Sequence, residues 1–204
     1  METIEQPKTV KISGELTHDP DICKFHVQSE HPLAGGWTLI FNNAADGKGS
    51  PLIDALFAVE GIAHVMIEES TLTIAKNIPA GWPQLAAEVA KAIRAACTGD
   101  APPVSPRVIE ELESAPMDGV EENIAQLFEQ HINPSLASHG GFVRLQKIEG
   151  HDAFVEMGGG CQGCSSAKAT MRHGVESAIR RVAPQIRKII DATDHAAGAN
   201  PFFK

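Results

Sequence analysis

A proline-rich, acidic stretch near the middle of the chain limits how this chain can fold. Residues 98–116 read TGDAPPVSPRVIEELESAP, and prolines interrupt both helical and strand periodicity in this stretch. Such a segment favours a solvated linker that its prolines stiffen. The sequence therefore predicts a front domain over residues 9–97, a linker over residues 98–117 and a back domain over residues 118–204.

Length and charge then limit the possible partners. The 204 residues leave each half at about 80–100 residues, a size at which a small domain folds alone. A formal net charge of −9 argues against nucleic acid and against an anionic membrane surface as partners. The sequence has no run of about 18 apolar residues and no secretory signal at its start. We therefore expect a cytoplasmic protein.

The front half alternates strand and helix patterns. Residues 37–42 (WTLIFN) are strand-like, and Ser50 and Pro51 are typical of a helix N-cap and first turn, with Gly61 as its end. Residues 62–68 and 71–76 predict a hairpin. The pattern indicates a small α/β domain without a catalytic pair. A second helix presents an apolar face formed by Leu85, Val89, Ile93 and Ala96.

The back half begins with a helical pattern. Asp118 and Glu121 have the spacing of a capping box, and Pro134 predicts a kink or a restart of the helix. Residues 142–148 and 153–157 follow as two strands of a hairpin that turns at Gly150. The apolar face of the first helix comprises Val120, Ile124, Leu127, Phe128 and Ile132.

A second helix and a third strand complete the back half. Ser165 or Ser166 is the expected cap of the helix, and residues 186–190 are the expected strand. The order helix, strand, strand, helix, strand predicts an α+β fold with helices on a small three-stranded sheet. The predicted apolar stripe of the second helix contains Ala167, Met171, Val175, Ala178, Ile179 and Val182.

Cys161 and Cys164 form the closely spaced pair among the four cysteines. They stand between a predicted strand and a predicted helix, where the positive end of the helix dipole favours thiolate over thiol. The neighbouring glycines remove side chains around both sulfurs and leave backbone amides free to approach. Cys23 and Cys97 are isolated, and Cys97 is expected to be a buried structural thiol.

Three chemistries compete for this pair of thiols. A dithiol oxidoreductase would place them after the first strand of a parallel βαβ unit, whereas here a hairpin is predicted to precede them. Zinc would require two further ligands. His139, His151 and His173 are available in the same domain, but none has a recognisable ligand spacing.

An iron–sulfur cluster requires four thiolates, and a second copy of the chain would supply the missing two. Two such loops facing each other across a two-fold axis give the simplest symmetric [4Fe–4S] site. A site of this kind is close to solvent and can be taken apart. It therefore suits temporary storage and transfer better than electron transport.

Both halves of the chain resemble one protein family. The stretches INPSLASHGG, GGGCQGCSSAKATMRHGVESAIRR and DATDHAAGANPFF resemble the C-terminal domain of Nfu/NifU-like iron–sulfur scaffold and carrier proteins, over residues 120–204. The stretch GSPLIDALFAVEGIAHVMIEESTLTIAK, with Trp82 after it, is similar to the N-terminal domain of Nfu proteins, over residues 9–97.

The resemblance implies a function for these residues. Cys161 and Cys164 would ligate a [4Fe–4S] cluster that bridges a homodimer through the C-terminal domain. The protein would receive the cluster from an upstream assembly scaffold and deliver it to apo iron–sulfur proteins, without being an enzyme. The front domain would recognise these targets. The glycines that would shape the loop are Gly158, Gly159, Gly160 and Gly163. A glycine inside a helix costs about 1 kcal/mol against alanine, so we expect close packing at Gly174, either within the domain or at the dimer contact.

Overall fold

A computed structural model describes residues 10–30, 32–47, 49–138, 140–159 and 165–193, with the side chains of residues 165–173 left out. The chain divides into two compact units, Met1–Glu111 and Leu112–Lys204. Each unit combines helices with a sheet of its own, which confirms the predicted α+β class. Among the described residues, no helix is both long enough and apolar enough to cross a bilayer.

The first unit is built on a five-stranded antiparallel sheet. The strands lie in the order β1-β2-β5-β4-β3, and the predicted hairpin forms β4 and β5. Their bounds are β1 Lys11–Leu16, β2 Ile22–Gln28, β3 Thr38–Phe41, β4 Ile62–Glu68 and β5 Thr71–Lys76.

Two helices supply apolar side chains to the core of this unit. Helix α1 spans Pro51–Phe57, and helix α2 spans Trp82–Thr98. In β2 every second residue is buried, and the ring of Phe25 meets Trp82 of α2 edge to face with centroids 6.0 Å apart. The predicted apolar face of α2 is confirmed, because its four residues are all buried.

The start of α1 differs from the prediction in how Ser50 is used. Ser50 occupies the N-cap position, but its hydroxyl makes no capping hydrogen bond. Its Oγ instead accepts a hydrogen bond of 2.9 Å from the backbone N–H of Ser105. The helix also ends at Phe57 rather than at Gly61, which has a positive φ in the turn before β4.

The predicted linker is partly structured. A helix, α3, spans Pro106–Glu113, because proline is well tolerated in the first turn of a helix, where its missing N–H needs no partner. Before it, Val104 is buried, and the carbonyl of Pro103 accepts a hydrogen bond of 2.9 Å from the N–H of Leu52. The stretch is therefore not solvated at Val104, and the expectation that its prolines break helical periodicity is wrong for Pro106–Glu113.

The second unit has the predicted order of elements. Its sheet has the order β6-β7-β8, with β6 antiparallel to β7 and β8 parallel to β7. Helix α6 connects the two parallel strands. The elements are α4 Val120–Leu127, a π-helical turn Phe128–Ile132, α5 Asn133–Ala137, β6 Gly141–Glu149, β7 Asp152–Gly159, α6 Ser165–Val182 and β8 Lys188–Asp191.

The core of this unit confirms most of the predicted apolar faces. The helix restarts at Asn133, next to Pro134, as predicted. The prediction of a capping box at Asp118 and Glu121 is wrong, since Gly119 with φ +73° is the N-cap of α4 and the cap has no side-chain hydrogen bond. Val182 is 39% exposed rather than buried. The buried core includes Val120, Ile124, Leu127, Phe128, Leu136, Val143, Ala153, Val155, Val175, Ala178, Ile179, Ile186 and Ile189.

Candidate functional site

The paired cysteines belong to the connection between β7 and α6. Gly159 is the last residue of β7, and Ser165 is the first residue of α6. Cys161 and Cys164 lie outside the described residues, together with Gly160 and Gly163. Because α6 runs over 18 residues, the positive end of its dipole lies next to Cys164 in the sequence. This end of a helix favours the thiolate form of a nearby cysteine.

Two glycine runs meet where β7 ends. Gly141 at the start of β6 pairs with Gly159 at the end of β7. Gly159 has φ +66°, and an added Cβ there would overlap the carbonyl oxygen of Gly140. We call the segment formed by Gly140, Gly141, Gly158 and Gly159 the glycine neck. Sequence reasoning assigned glycines to the loop but missed this pairing, for which the repeated Gly-Gly before and after the hairpin was the available signal.

The residue pair next to Gly141 and Gly159 in the β6–β7 hairpin contains an aromatic ring. Phe142 of β6 pairs with Gly158 of β7. Its ring lies against Gly158 so closely that a Cβ added to the glycine would overlap ring atoms. Phe142 is nevertheless 40% exposed. The ring thus covers Gly158 and is itself partly exposed to solvent.

Asn133 attaches α5 to the edge of the sheet beside the glycine neck. Its Nδ2 donates a hydrogen bond of 3.0 Å to the carbonyl of Val143, and its Oδ1 accepts one of 2.8 Å from the N–H of Val143. The amide therefore pairs both backbone groups of this residue, as a neighbouring strand would. Sequence reasoning missed this role, because the side chain of Asn133 pairs with a strand residue ten positions further along the chain.

We expect Asn133→Asp to destabilise the second unit by about 2 kcal/mol, because a carboxylate has no donor for the carbonyl of Val143. Far-UV circular dichroism in a urea titration measures this loss. Trp37 and Trp82 both lie in the first unit, so the tryptophan fluorescence transition should not move. Ser135→Ala in the same helix is the matched control. A fluorescence shift equal to the dichroism shift would contradict the local role of Asn133.

Strand β7 is also held on its other side. The N–H of Met157 donates a hydrogen bond of 2.9 Å to Oγ1 of Thr193, and the N–H of Ala192 donates one of 2.8 Å to the carbonyl of Val155. At the opposite end of the strand, Arg187 holds Asp152 through two hydrogen bonds and lowers the pKa of that carboxyl group. Residues on both sides of β8 thus fix β7 between Asp152 and Met157, the part of the strand that precedes the glycine neck.

The two remaining cysteines are closed inside the first unit. Cys23 and Cys97 are 2% and 3% exposed. Burial raises the pKa of both thiols, and that of Cys97 rises to about 11. The neutral thiol, which is a poor metal ligand, therefore dominates at both positions near neutral pH. The expectation that Cys97 is a buried structural thiol is confirmed.

The histidines of the second unit give no support to a zinc site among the described residues. The Nδ1 atom of His151 is hydrogen-bonded to the carbonyl of Gln185 at 2.9 Å, an ordinary structural contact. His139 and the side chain of His173 lie outside what the structure describes. In the described part of the chain, no group of three or more histidine, cysteine or acidic residues is placed to hold a metal ion.

Gly174 in α6 does not pack closely against described parts of its own chain. It is exposed, and an added Cβ would find no described atom within 4 Å. The expectation that Gly174 packs closely within the domain is therefore wrong as far as the described atoms are concerned. The alternative, close approach at a dimer contact, stays a prediction.

Two family models match the chain, one in each unit. The model described as the N-terminal domain of the scaffold protein Nfu/NifU matches residues 12–99. The model described as the NifU-like domain matches residues 124–190, a range that includes both positions of the cysteine pair.

Curated relatives match over part of their length. The chain is 46% identical over 91 residues to the Fe/S biogenesis protein NfuA of Ruthia magnifica, which covers 44% of this chain and 46% of that protein. It is 37% identical over 94 residues to the protein of the same name from Acinetobacter baylyi, with 44% of each covered. The match thus spans about half the length of these relatives.

A solved structure also overlaps part of the chain. It is the solution structure of a NifU-like protein from Saccharomyces cerevisiae, with 20% sequence identity and a TM-score of 0.39. The overlap covers 47% of this chain and 83% of that chain.

Proposed function

Because its two units match the N-terminal and NifU-like models of one family, the chain is an Nfu/NifU-like protein, and we propose that it is an iron–sulfur cluster scaffold and carrier. The cargo is a [4Fe–4S] cluster, held by Cys161 and Cys164 of two copies of the chain. The donor is an upstream cluster assembly scaffold. The recipients are apo iron–sulfur proteins, and the first unit serves to recognise them.

The observation that carries this proposal is the burial of Cys23 and Cys97. A [4Fe–4S] cluster uses four thiolates. Cys23 and Cys97 are buried with raised pKa values in the core of the first unit, so one chain offers only two cysteines for ligation. A second copy supplies the other two ligands, and two-fold symmetry makes both halves of such a site equivalent. The homodimer therefore forms through the second unit.

The elements around the loop suit a cargo that has to leave again. The positive end of α6 stabilises thiolates, and the glycine neck brings bare backbone close to the loop. In transfer, each bond from iron to a sulfur of this chain breaks as a bond from iron to an acceptor thiolate forms. The proton of the acceptor thiol ends on the released thiolate of this chain. The exchange involves no net oxidation or reduction.

The connection between the parallel strands β7 and β8 favours a second candidate function, that of a dithiol oxidoreductase. The parallel strands β7 and β8, with α6 between them, form a βαβ unit, and the cysteine pair stands at its first strand-to-helix junction. A dithiol oxidoreductase would place its cysteines after the first strand of such a unit. The predicted hairpin before the pair is nevertheless present as β6 and β7. A monomeric dithiol oxidoreductase is therefore the alternative to be tested.

Anaerobic reconstitution with iron and sulfide distinguishes the two functions. We expect a brown dimer with about four iron and four sulfide per two chains, measured by visible absorption, metal and sulfide analysis and native mass. The dimer forms because one chain supplies only half of the ligands. A colourless monomer of 21.7 kDa that cycles between dithiol and disulfide would overturn the carrier proposal in favour of the oxidoreductase.

A further inference from the structure

The ring of Phe142 stands out because it is large, apolar and exposed beside the glycine neck. Among the described residues, the exposed large hydrophobic side chains are Leu16, Phe142 and Val182. Phe142 is 40% exposed, so the core of the unit does not account for it. Its neighbour Val143 is buried and belongs to the core. The described contact that distinguishes Phe142 is the one with Gly158 across the hairpin.

Gly158 needs such a contact. A glycine within a strand loses more conformational entropy on folding than other residues and has no side chain to pack. An aromatic ring on the neighbouring strand can cover the glycine and replace the missing contact. Gly158 is followed by Gly159, which also lacks a side chain. Without the ring, Gly158 would be joined to β6 by backbone pairing alone.

Gly158 is also close to the cysteine pair along the chain. Two residues, Gly159 and Gly160, lie between it and Cys161, so the two Cα atoms are at most about 11 Å apart. Any change in the position of Gly158 therefore displaces the start of the loop. We call residues 160–164, which connect β7 to α6, the cluster loop. The contact of Phe142 with Gly158 is thus a contact at the base of the cluster loop.

We propose that Phe142 is a positioning residue for the cluster loop, through its ring contact with Gly158. The ring holds the glycine end of β7 against β6 and so fixes the point and direction in which the chain leaves the sheet. Phe142 itself ligates nothing. This inference rests on the proposed function, because the loop is taken to bind the cluster.

Four variants test this role. Phe142→Ala removes the ring, and Phe142→Tyr retains a ring in the same place. Val182→Ala is the matched control, because Val182 is 39% exposed in the same unit and ends α6, about 25 Å along the helix axis from its first residue. Gly158→Ala displaces the ring from the other side, since the added Cβ occupies its position.

The first measurement uses the full chain without a cluster. Amide hydrogen exchange is followed by mass spectrometry in peptides that contain Gly158 and Gly159. We expect about fivefold faster exchange in Phe142→Ala and Gly158→Ala, and rates close to the wild type in Phe142→Tyr and Val182→Ala. The thermal midpoint of the chain should change little, because Phe142 is not part of the buried core of the unit.

The second measurement uses the reconstituted chain. Loss of the visible absorption of the cluster to an excess of a chelator should be about fivefold faster in Phe142→Ala, with the iron content per dimer unchanged at the start. The double variant Gly158→Ala with Phe142→Ala should lose the cluster no faster than either single variant, because both changes remove the same contact.

Different results would overturn this inference and the proposed function. If Phe142→Ala matches Val182→Ala in hydrogen exchange, the positioning role is wrong, whether or not the wild type holds a cluster. If hydrogen exchange changes as expected but the wild type binds no iron, the ring positions the loop and the carrier proposal fails. Additive effects in the double variant would contradict the single shared contact.

Discussion

Replacing Cys161 with serine should reduce the iron of the reconstituted protein to about one-tenth of the wild-type content or less. A shared cluster depends on two thiolates from each chain, so one substitution removes two of its four ligands in a symmetric dimer. Cys164→Ser should have the same effect. Iron and sulfide analysis, visible absorption and native mass measure the loss, and the mass should fall towards the 21.7 kDa of one chain.

The controls for this prediction are the other two cysteines. Cys23→Ala and Cys97→Ala should retain the iron content of the wild type, because both thiols are buried and neutral in the first unit. Each substitution shortens a core side chain and should lower stability slightly without changing the colour. If Cys97→Ala lost its iron as completely as Cys161→Ser while remaining folded, the ligand assignment would be wrong.

The second large effect is expected at the glycine neck, where Gly159→Ala should destabilise the second unit by about 3–4 kcal/mol. The residue has φ +66°, a conformation that costs energy for alanine. Its Cβ would also overlap the carbonyl oxygen of Gly140. Both partners of this overlap are fixed to the backbone, so no side-chain rotation relieves it. Urea denaturation followed by far-UV circular dichroism measures the loss.

Gly150→Ala is the matched control for Gly159→Ala. Gly150 lies in the turn between β6 and β7 with φ +57°, and nothing described lies within 4 Å of an added Cβ. Its substitution should cost about 1 kcal/mol, the price of the backbone conformation alone. Equal losses at both positions would show that the backbone conformation decides the effect and that the contact with Gly140 does not.

The order of helices and strands was predictable because it depends on local patterns. The apolar residues of α2 and α4 recur at helical spacing, and the hairpin of β6 and β7 alternates around a turn that contains Gly150. Burial of one face of each element then follows from that spacing. These features need no knowledge of what each element packs against.

The contacts of the site were not predictable in this way. The pairing of Gly141 with Gly159, the ring of Phe142 on Gly158 and the amide of Asn133 on Val143 join residues that are distant in sequence. Local periodicity carries no information about such pairs. The helix α3 was missed for a different reason, because prolines were taken as breaks although Pro106 stands in a first turn, where proline is favoured.

The burial of Cys23 and Cys97 also limits how fast these two thiols react with peroxide. Peroxide attacks thiolates far faster than thiols, and the raised pKa values keep both core sulfurs in the thiol form. Peroxide therefore reacts slowly with Cys23 and Cys97, because burial also keeps it away from both sulfurs. The hydrophobic core of the first unit is thus spared the irreversible stages of cysteine oxidation.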